Sequence, residues 1–191
     1  MQIVHEIEKR RAFRAYSEEP VARDVLIRLA QAAHLAPSSA NNQPWRIVTV
    51  TDIDTLAQLK ETLSGGNYWA KNAPVIAAFV TNPKWSMRLE DRDYAFFELG
   101  MAAMAYQIQA VSEGLIVHPI AGFNVTEAKD VLGIETEEVL EVLMVVGKPG
   151  DVAQLNEKHQ QLERSSRNRK PLEQVMAFDV WQPLLVPSAK A

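Results

Sequence analysis

The sequence predicts one domain built as an α/β or α+β sandwich, with helices covering both faces of a sheet. Three observations lead there. Amphipathic helix-like segments and apolar strand-like segments follow one another in partly alternating order. Two apolar runs, Val75 to Thr81 and Val139 to Val146, are nearly continuous, as in strands buried on both faces. A chain of 191 residues, 47% hydrophobic and 23% charged, has ordinary globular composition and enough length for one substantial core. No internal repeat, low-complexity stretch or linker divides it, so residues 1–191 are read as a single domain.

The opening segment has Ile3, Val4 and Ile7 at helical spacing, and the basic residues Arg10, Arg11 and Arg14 are read as closing that helix. A second helix carries Val25, Leu26, Leu29, Ala30 and Ala33 on one face and is stopped by Pro37. Trp45 to Val50 reads as a strand. Asp52 to Leu63 reads as a helix with Ile53, Leu56, Leu59 and Leu63 in a stripe, and Gly65-Gly66-Asn67 as a turn. After the buried strand at Val75, the longest helix is expected from about Trp85 to Glu113. Its middle, Ala95 to Tyr106, is apolar or small almost all round. Such a helix is either the central core of a monomer or is covered by a second copy; a two-fold homodimer is the expectation. Leu115 to Ile120 is a short strand, Ala121-Gly122-Phe123 a turn, and Thr126 to Leu132 a helix ended by Gly133. From Gly147 the chain is polar, with a basic cluster before Pro171 and a short helix. The tail carries Phe178, Trp181, Leu184 and Leu185, an apolar set that should lie on something.

Composition excludes several classes of chemistry. With no cysteine there is no disulfide, thiolate nucleophile, Cys-based zinc site or iron–sulfur cluster. The four histidines are scattered without metal-ligand spacing, so no metal is expected, and there is no Gly-x-Ser-x-Gly elbow. A net charge of −4 argues against nucleic acid as the main partner. No apolar run approaches membrane-spanning length and no signal-like segment opens the chain, so a soluble cytoplasmic protein is the expectation. The dinucleotide fingerprint and the phosphate-binding glycine loop are absent, so side chains would have to hold a nucleotide phosphate. Arginine suits that role, because its planar fork matches two phosphate oxygens at once. Arg10, Arg11 and Arg14 can also be read as helix-dipole complements, and Arg167-Asn168-Arg169-Lys170 as a solvated run. Between the second helix and the first strand lies Ala36-Pro37-Ser38-Ser39-Ala40-Asn41-Asn42-Gln43-Pro44-Trp45. It is either a well-capped loop or a fixed row of amides able to read the edge of a flat heterocycle.

Arg10 to Tyr16, Pro37 to Trp45, Asn67 ahead of Ala73-Pro74-Val75, the long helix, Pro119 to Phe123 and Arg167 to Glu173 occur in an order that resembles the FMN-dependent nitroreductase family over essentially the whole chain. The resemblance implies an α+β fold, an α/β/α three-layer sandwich with a mainly antiparallel central sheet. It also implies an intertwined homodimer whose residues 172–191 pack on the partner subunit. Each of two FMN sites would be built from both chains. Arg10, Arg14, Arg167 and Arg169 would hold the phosphate, with Arg11 and Ala12 between them; Ala12 replaces a serine common in the family. Pro37, Ser38, Ser39 and Asn41 would reach the flavin from the partner. Gln43 and Asn67 would meet the ribityl chain or pyrimidine edge, and Lys71 would supply positive charge near the flavin N1 and O2. Pro119, Ile120, Ala121 and Gly122 would lie along the isoalloxazine with a backbone N–H towards N5, which carries the chemistry without a catalytic side chain. NAD(P)H and an acceptor such as a nitroaromatic or quinone would use one slot in ping-pong order. A flavin-binding protein without turnover, or a family chemistry such as dehalogenation or FMN breakdown, are the alternatives.

Overall fold

The computed structural model describes residues 3–182. Four antiparallel strands form the central sheet: β1 (Arg46–Val50), β2 (Val75–Thr81), β5 (Ile116–Ile120) and β6 (Val139–Gly147), in the order β1-β2-β6-β5. All seven residues of β2 are buried, and their alternation supplies two cores. Val75, Ala77 and Phe79 face α2 (Arg23–His34) and α4 (Tyr94–Ser112). Ile76, Ala78 and Val80 face a second cluster that includes Leu56 and Leu59 of α3 (Ile53–Glu61) and Ala128 of α5 (Val125–Leu132). Two helical layers around an antiparallel sheet make the α+β sandwich the sequence implied.

Local chemistry sets the boundaries. The Asp52 carboxylate accepts from Thr55 N at 2.9 Å and caps α3, while the Asn124 side chain accepts from Glu127 N and caps α5. Gly133, at φ 63°, closes α5 in the left-handed conformation that glycine permits.

Three expectations are corrected. The first helix, α1 (His5–Lys9), ends before Arg10, so Arg10, Arg11 and Arg14 lie on extended chain beyond it. That chain is extended because its backbone is taken up elsewhere: Phe13 O accepts from His118, Ala15 O from Gly150 N, and Tyr16 pairs with Pro149. The long helix starts at Tyr94, not near Trp85, because a small hairpin precedes it, β3 (Arg88–Leu89) and β4 (Arg92–Asp93), turned by Glu90 at φ 56°. Ile53 is 81% exposed and belongs to no core stripe. An unanticipated polar helix, α6 (Glu157–Arg164), is capped by Asn156. Of the tail, Phe178 and Trp181 are exposed on this chain; Leu184 and Leu185 lie outside the described residues. Among the described residues no helix is long and apolar enough to cross a membrane.

Candidate functional site

The two arginine clusters, more than 150 residues apart in sequence, line one cavity of about 290 Å³ formed by residues 10–14, 162–163 and 165–169. The first wall is held against the sheet by the pairing of residues 15–17 with 148–150. Gly150 is needed there, since a Cβ would stand 2.3 Å from the Tyr16 carbonyl carbon. The second wall follows α6. Of the five guanidinium groups of Arg10, Arg11, Arg14, Arg167 and Arg169, only that of Arg14 has a carboxylate partner among the described residues, Glu163 at 3.9 Å. Burial, and then the like charges of Arg167, Arg169 and Arg11, pulls the pKa of Arg10 below the ordinary guanidinium value. This cavity concentrates positive charge without neutralising it, which is the electrostatic profile of an anion site.

The arginines divide their work. Arg10 donates to the Gln107 side chain on α4 at 3.4 Å. Arg11 lies over the Phe13 ring and donates to Leu162 O at 3.4 Å. Arg167 donates to Glu8 O at 2.8 Å and to Arg10 O, so it caps the carbonyls that α1 leaves open. Its place in the wall is therefore partly structural. Arg169 donates to Asn168 O, and Ala12 lines the cavity without a side-chain donor. Glu163, its side chain 5% exposed, is the one acidic residue of the lining and was not expected from the sequence. It accepts from Arg14 N at 3.0 Å, and burial raises its pKa despite that bond.

The turn after β5 is a second assembly. Gly122 O accepts from Ser64 N at 2.9 Å and from the Asn67 amide at 2.8 Å, tying two expected site positions together. A Cβ on residue 122 would crowd that amide at 3.1 Å. Neither Ala121 N nor Gly122 N donates among the turn and loop hydrogen bonds of the described residues. Pro119 and Ile120 belong to β5 itself, paired with Met144 and Leu143. Lys71 is exposed, 3.6 Å from Glu61, and shares a small rim pocket with Asn67 away from the arginines. Next to β5's end, His118 Nδ1 donates to Phe13 O at 3.1 Å and its ring lies 4.5 Å from Trp69. Burial lowers its pKa to about 4, so the imidazole is neutral at pH 7 and holds the 10–16 segment without adding charge.

The third assembly is the amide loop. Ala40, Asn41 and Gln43 all have positive φ (47°, 58° and 51°) with no glycine to relieve them. Ser38 Oγ accepts from Gln43 N at 2.9 Å, and the Gln43 amide donates to Asn41 O at 2.7 Å. Ser39 N donates to the buried Glu98 of α4 at 2.7 Å. Pro37 and Asn41 are exposed. The loop's anchor, Glu98, and the arginine cavity's anchor, Gln107, are nine residues apart on α4, about 14 Å of helix. One chain therefore carries the loop and the cavity at separate stations.

Residues 7–67 and 61–148 match the sequence profile of the Nitroreductase family. The chain belongs to the nitroreductase family. Its nitroreductase fold is also that of a crystal structure of an oxidoreductase containing FMN, with a TM-score of 0.86, 25% identity, and coverage of 95% of this chain and 94% of that one. Among curated relatives, FMN reductase (NAD(P)H) of Bacillus subtilis is 29% identical over 157 residues, 82% of this chain. The alignment spans 59% of that protein's length. NADH dehydrogenase of Thermus thermophilus is 25% identical over 201 residues, 89% of this nitroreductase-family chain and 92% of its relative.

Proposed function

We propose that this chain is an FMN-dependent oxidoreductase that takes electrons from NAD(P)H and works as a homodimer with two sites, each shared between chains. The carrying observation is the cavity in which four of five guanidinium groups lack a carboxylate partner among the described residues. A monophosphate ester fits such a donor set, and the related FMN-containing oxidoreductase and FMN reductase support flavin mononucleotide as that ester.

The dimer reading is supported by α4. Phe97, Gly100, Met101, Met104 and Ile108 form an apolar seam on its outer side; Phe97 is 64% exposed, and a Cβ on Gly100 would meet nothing within 4 Å. Two antiparallel copies crossing between Met101 and Met104 would bring Glu98 of one chain beside Gln107 of the other, and with them the amide loop beside the partner's arginine cavity. The exposed Leu172, Val175, Phe178 and Trp181 are apolar side chains that a partner subunit would cover, with residues 172–191 read as an extension packing on it.

Arg10, Arg11, Arg14 and Arg169 would bind the phosphate, with Arg167 bracing their wall and Ala12 leaving room. Asn67, Gln43 and Lys71 would meet the ribityl chain and pyrimidine edge. The Pro119–Gly122 turn would present a backbone N–H of Ala121 or Gly122 towards flavin N5. Pro37, Ser38, Ser39 and Asn41 would come from the partner copy. FMN held by these residues would supply the redox chemistry, hydride exchange at N5 between NAD(P)H and an acceptor such as a nitroaromatic or quinone, with both reactants using one slot in ping-pong order. The backbone donor orients that centre without a titrating group, and the neutral His118 keeps the adjoining chain in place. We read the protein as cytoplasmic, where a nicotinamide donor is at hand.

The test is a visible spectrum of the purified protein with FMN, followed by NADH or NADPH without oxygen. Bleaching of a bound-flavin spectrum, and reoxidation by a quinone, is expected. A bound flavin that neither donor bleaches points to a binding protein without turnover, and no bound flavin overturns the assignment.

A further inference from the structure

We propose that Glu98 is the positioning residue of the flavin-reading loop, and that it locks this loop and the β3–β4 hairpin into one unit. The proposal rests on the flavin reading above. Glu98 is 2% exposed, in the fifth position of a helix whose neighbouring residues are nearly all apolar. Both of its oxygens are used. Oε1 accepts from Ser39 N at 2.7 Å, and Oε2 accepts from Ser86 Oγ at 2.5 Å. No cation forms a salt bridge with it among the described residues, so these two donors stabilise the buried carboxylate.

A buried carboxylate is costly where only packing is required, and a leucine would fill the same helix position. What the carboxylate supplies is a fixed point for a strained loop. Ser39 immediately precedes Ala40 and Asn41, whose left-handed backbone would otherwise relax towards negative φ. Ser39 Oγ also donates to Met87 Sδ at 3.8 Å, and Met87 O accepts from Tyr94 N at the base of the hairpin, so Ser39 joins the loop both to α4 and to the hairpin base. The Asn41 backbone is thereby held in place, and its exposed side-chain amide, without a hydrogen-bond partner among the described residues, is left available to a ligand. Relaxation of the loop would move that amide even with the sheet and α4 intact.

The experiment uses the full-length protein reconstituted with FMN. FMN affinity is measured by fluorescence quenching, flavin environment by visible circular dichroism at saturating FMN, and assembly by far-UV circular dichroism and size exclusion. Glu98→Ala should weaken FMN at least about tenfold and change the visible dichroism. Glu98→Gln should remain within about threefold of wild type, because its carbonyl still accepts from Ser39 N and its amide can donate to Ser86 Oγ. A Glu98→Ala protein with wild-type affinity and dichroism overturns the proposal, as does a folded Glu98→Gln protein impaired as badly as Glu98→Ala. If Glu98→Ala fails to assemble, Ser86→Ala decides: a loss of about threefold supports the clamp, and unchanged affinity overturns it. Failure of the wild type to bind FMN appears before any variant is read, and refutes the flavin assignment instead.

Discussion

Replacing His118 by asparagine should flatten the acid side of the stability profile. In the folded protein the imidazole is enclosed by Trp69 and the 10–16 segment, and burial holds its pKa near 4 against an ordinary 6.5. Arg14 and Arg10 lower it further, while its bond to Phe13 O opposes the shift. Below pH 6.5 the unfolded chain binds the proton first, so stability is lost as pH falls from about 6.5 towards 4; above 6.5 both states are neutral and nothing is lost. Linkage with these two values gives a loss of about 2 kcal/mol by pH 5 and about 3 kcal/mol by pH 3.5. Asparagine offers an N–H to the Phe13 carbonyl but does not titrate. Urea unfolding of both proteins at pH 7.5 and pH 5, at equal protein concentration, isolates the difference from the carboxylates they share. Wild type should lose about 2 kcal/mol more than His118→Asn across that interval. Parallel profiles would refute the reasoning, as would an NMR titration placing His118 near 6.5.

Other outcomes test the site. Arg10→Ala with Arg169→Ala should weaken FMN at least about a hundredfold while far-UV circular dichroism and the mass by light scattering match wild type, since each removes a charge-assisted contact worth about 1.5 kcal/mol or more. Glu163→Gln should tighten FMN severalfold at pH 7.5 by equilibrium titration, because it removes the lining's negative charge but keeps an acceptor for Arg14 N. As pH falls through the raised pKa of Glu163, the affinity advantage of the variant over wild type should shrink, because the carboxyl then carries no charge in either protein. Phe97→Glu should yield a monomer by light scattering and release flavin. Gly150→Ala should cost about 2–3 kcal/mol in urea unfolding, because its Cβ would collide with the Tyr16 backbone.

How much of this could be read from the sequence depended on whether a feature was local. The β2 run and the Gly133 stop were legible because one segment contains their whole cause: continuous burial in the first, a left-handed cap in the second. The hairpin before α4 was hidden, because Trp85 and Leu89, four residues apart, fit a backward extension of the helical stripe and the turn at Glu90 has no glycine or asparagine to mark it. The end of α1 was misread for a different reason: the partners that hold Phe13, Ala15 and Tyr16 in extended chain are His118, Gly150 and Pro149. Residue type alone showed that the arginines could bind phosphate. That they share a cavity was visible only through the family resemblance. Glu163 gave no signal, lying in a polar stretch where acids are ordinarily solvated. Glu98 did leave one, a lone acid within an apolar helix.

The arginine cavity has walls from opposite ends of the chain, with Arg167 fastened to the carbonyls of residues 7, 8 and 10. During synthesis the whole sheet, through Gly147, can emerge and pair before the second wall exists. The cofactor pocket is therefore a late product of translation. A nascent chain halted before residue 162 would have its strands and the first arginine wall but not the wall that closes the cavity, so tight flavin loading would report that residues 162–169 have been made.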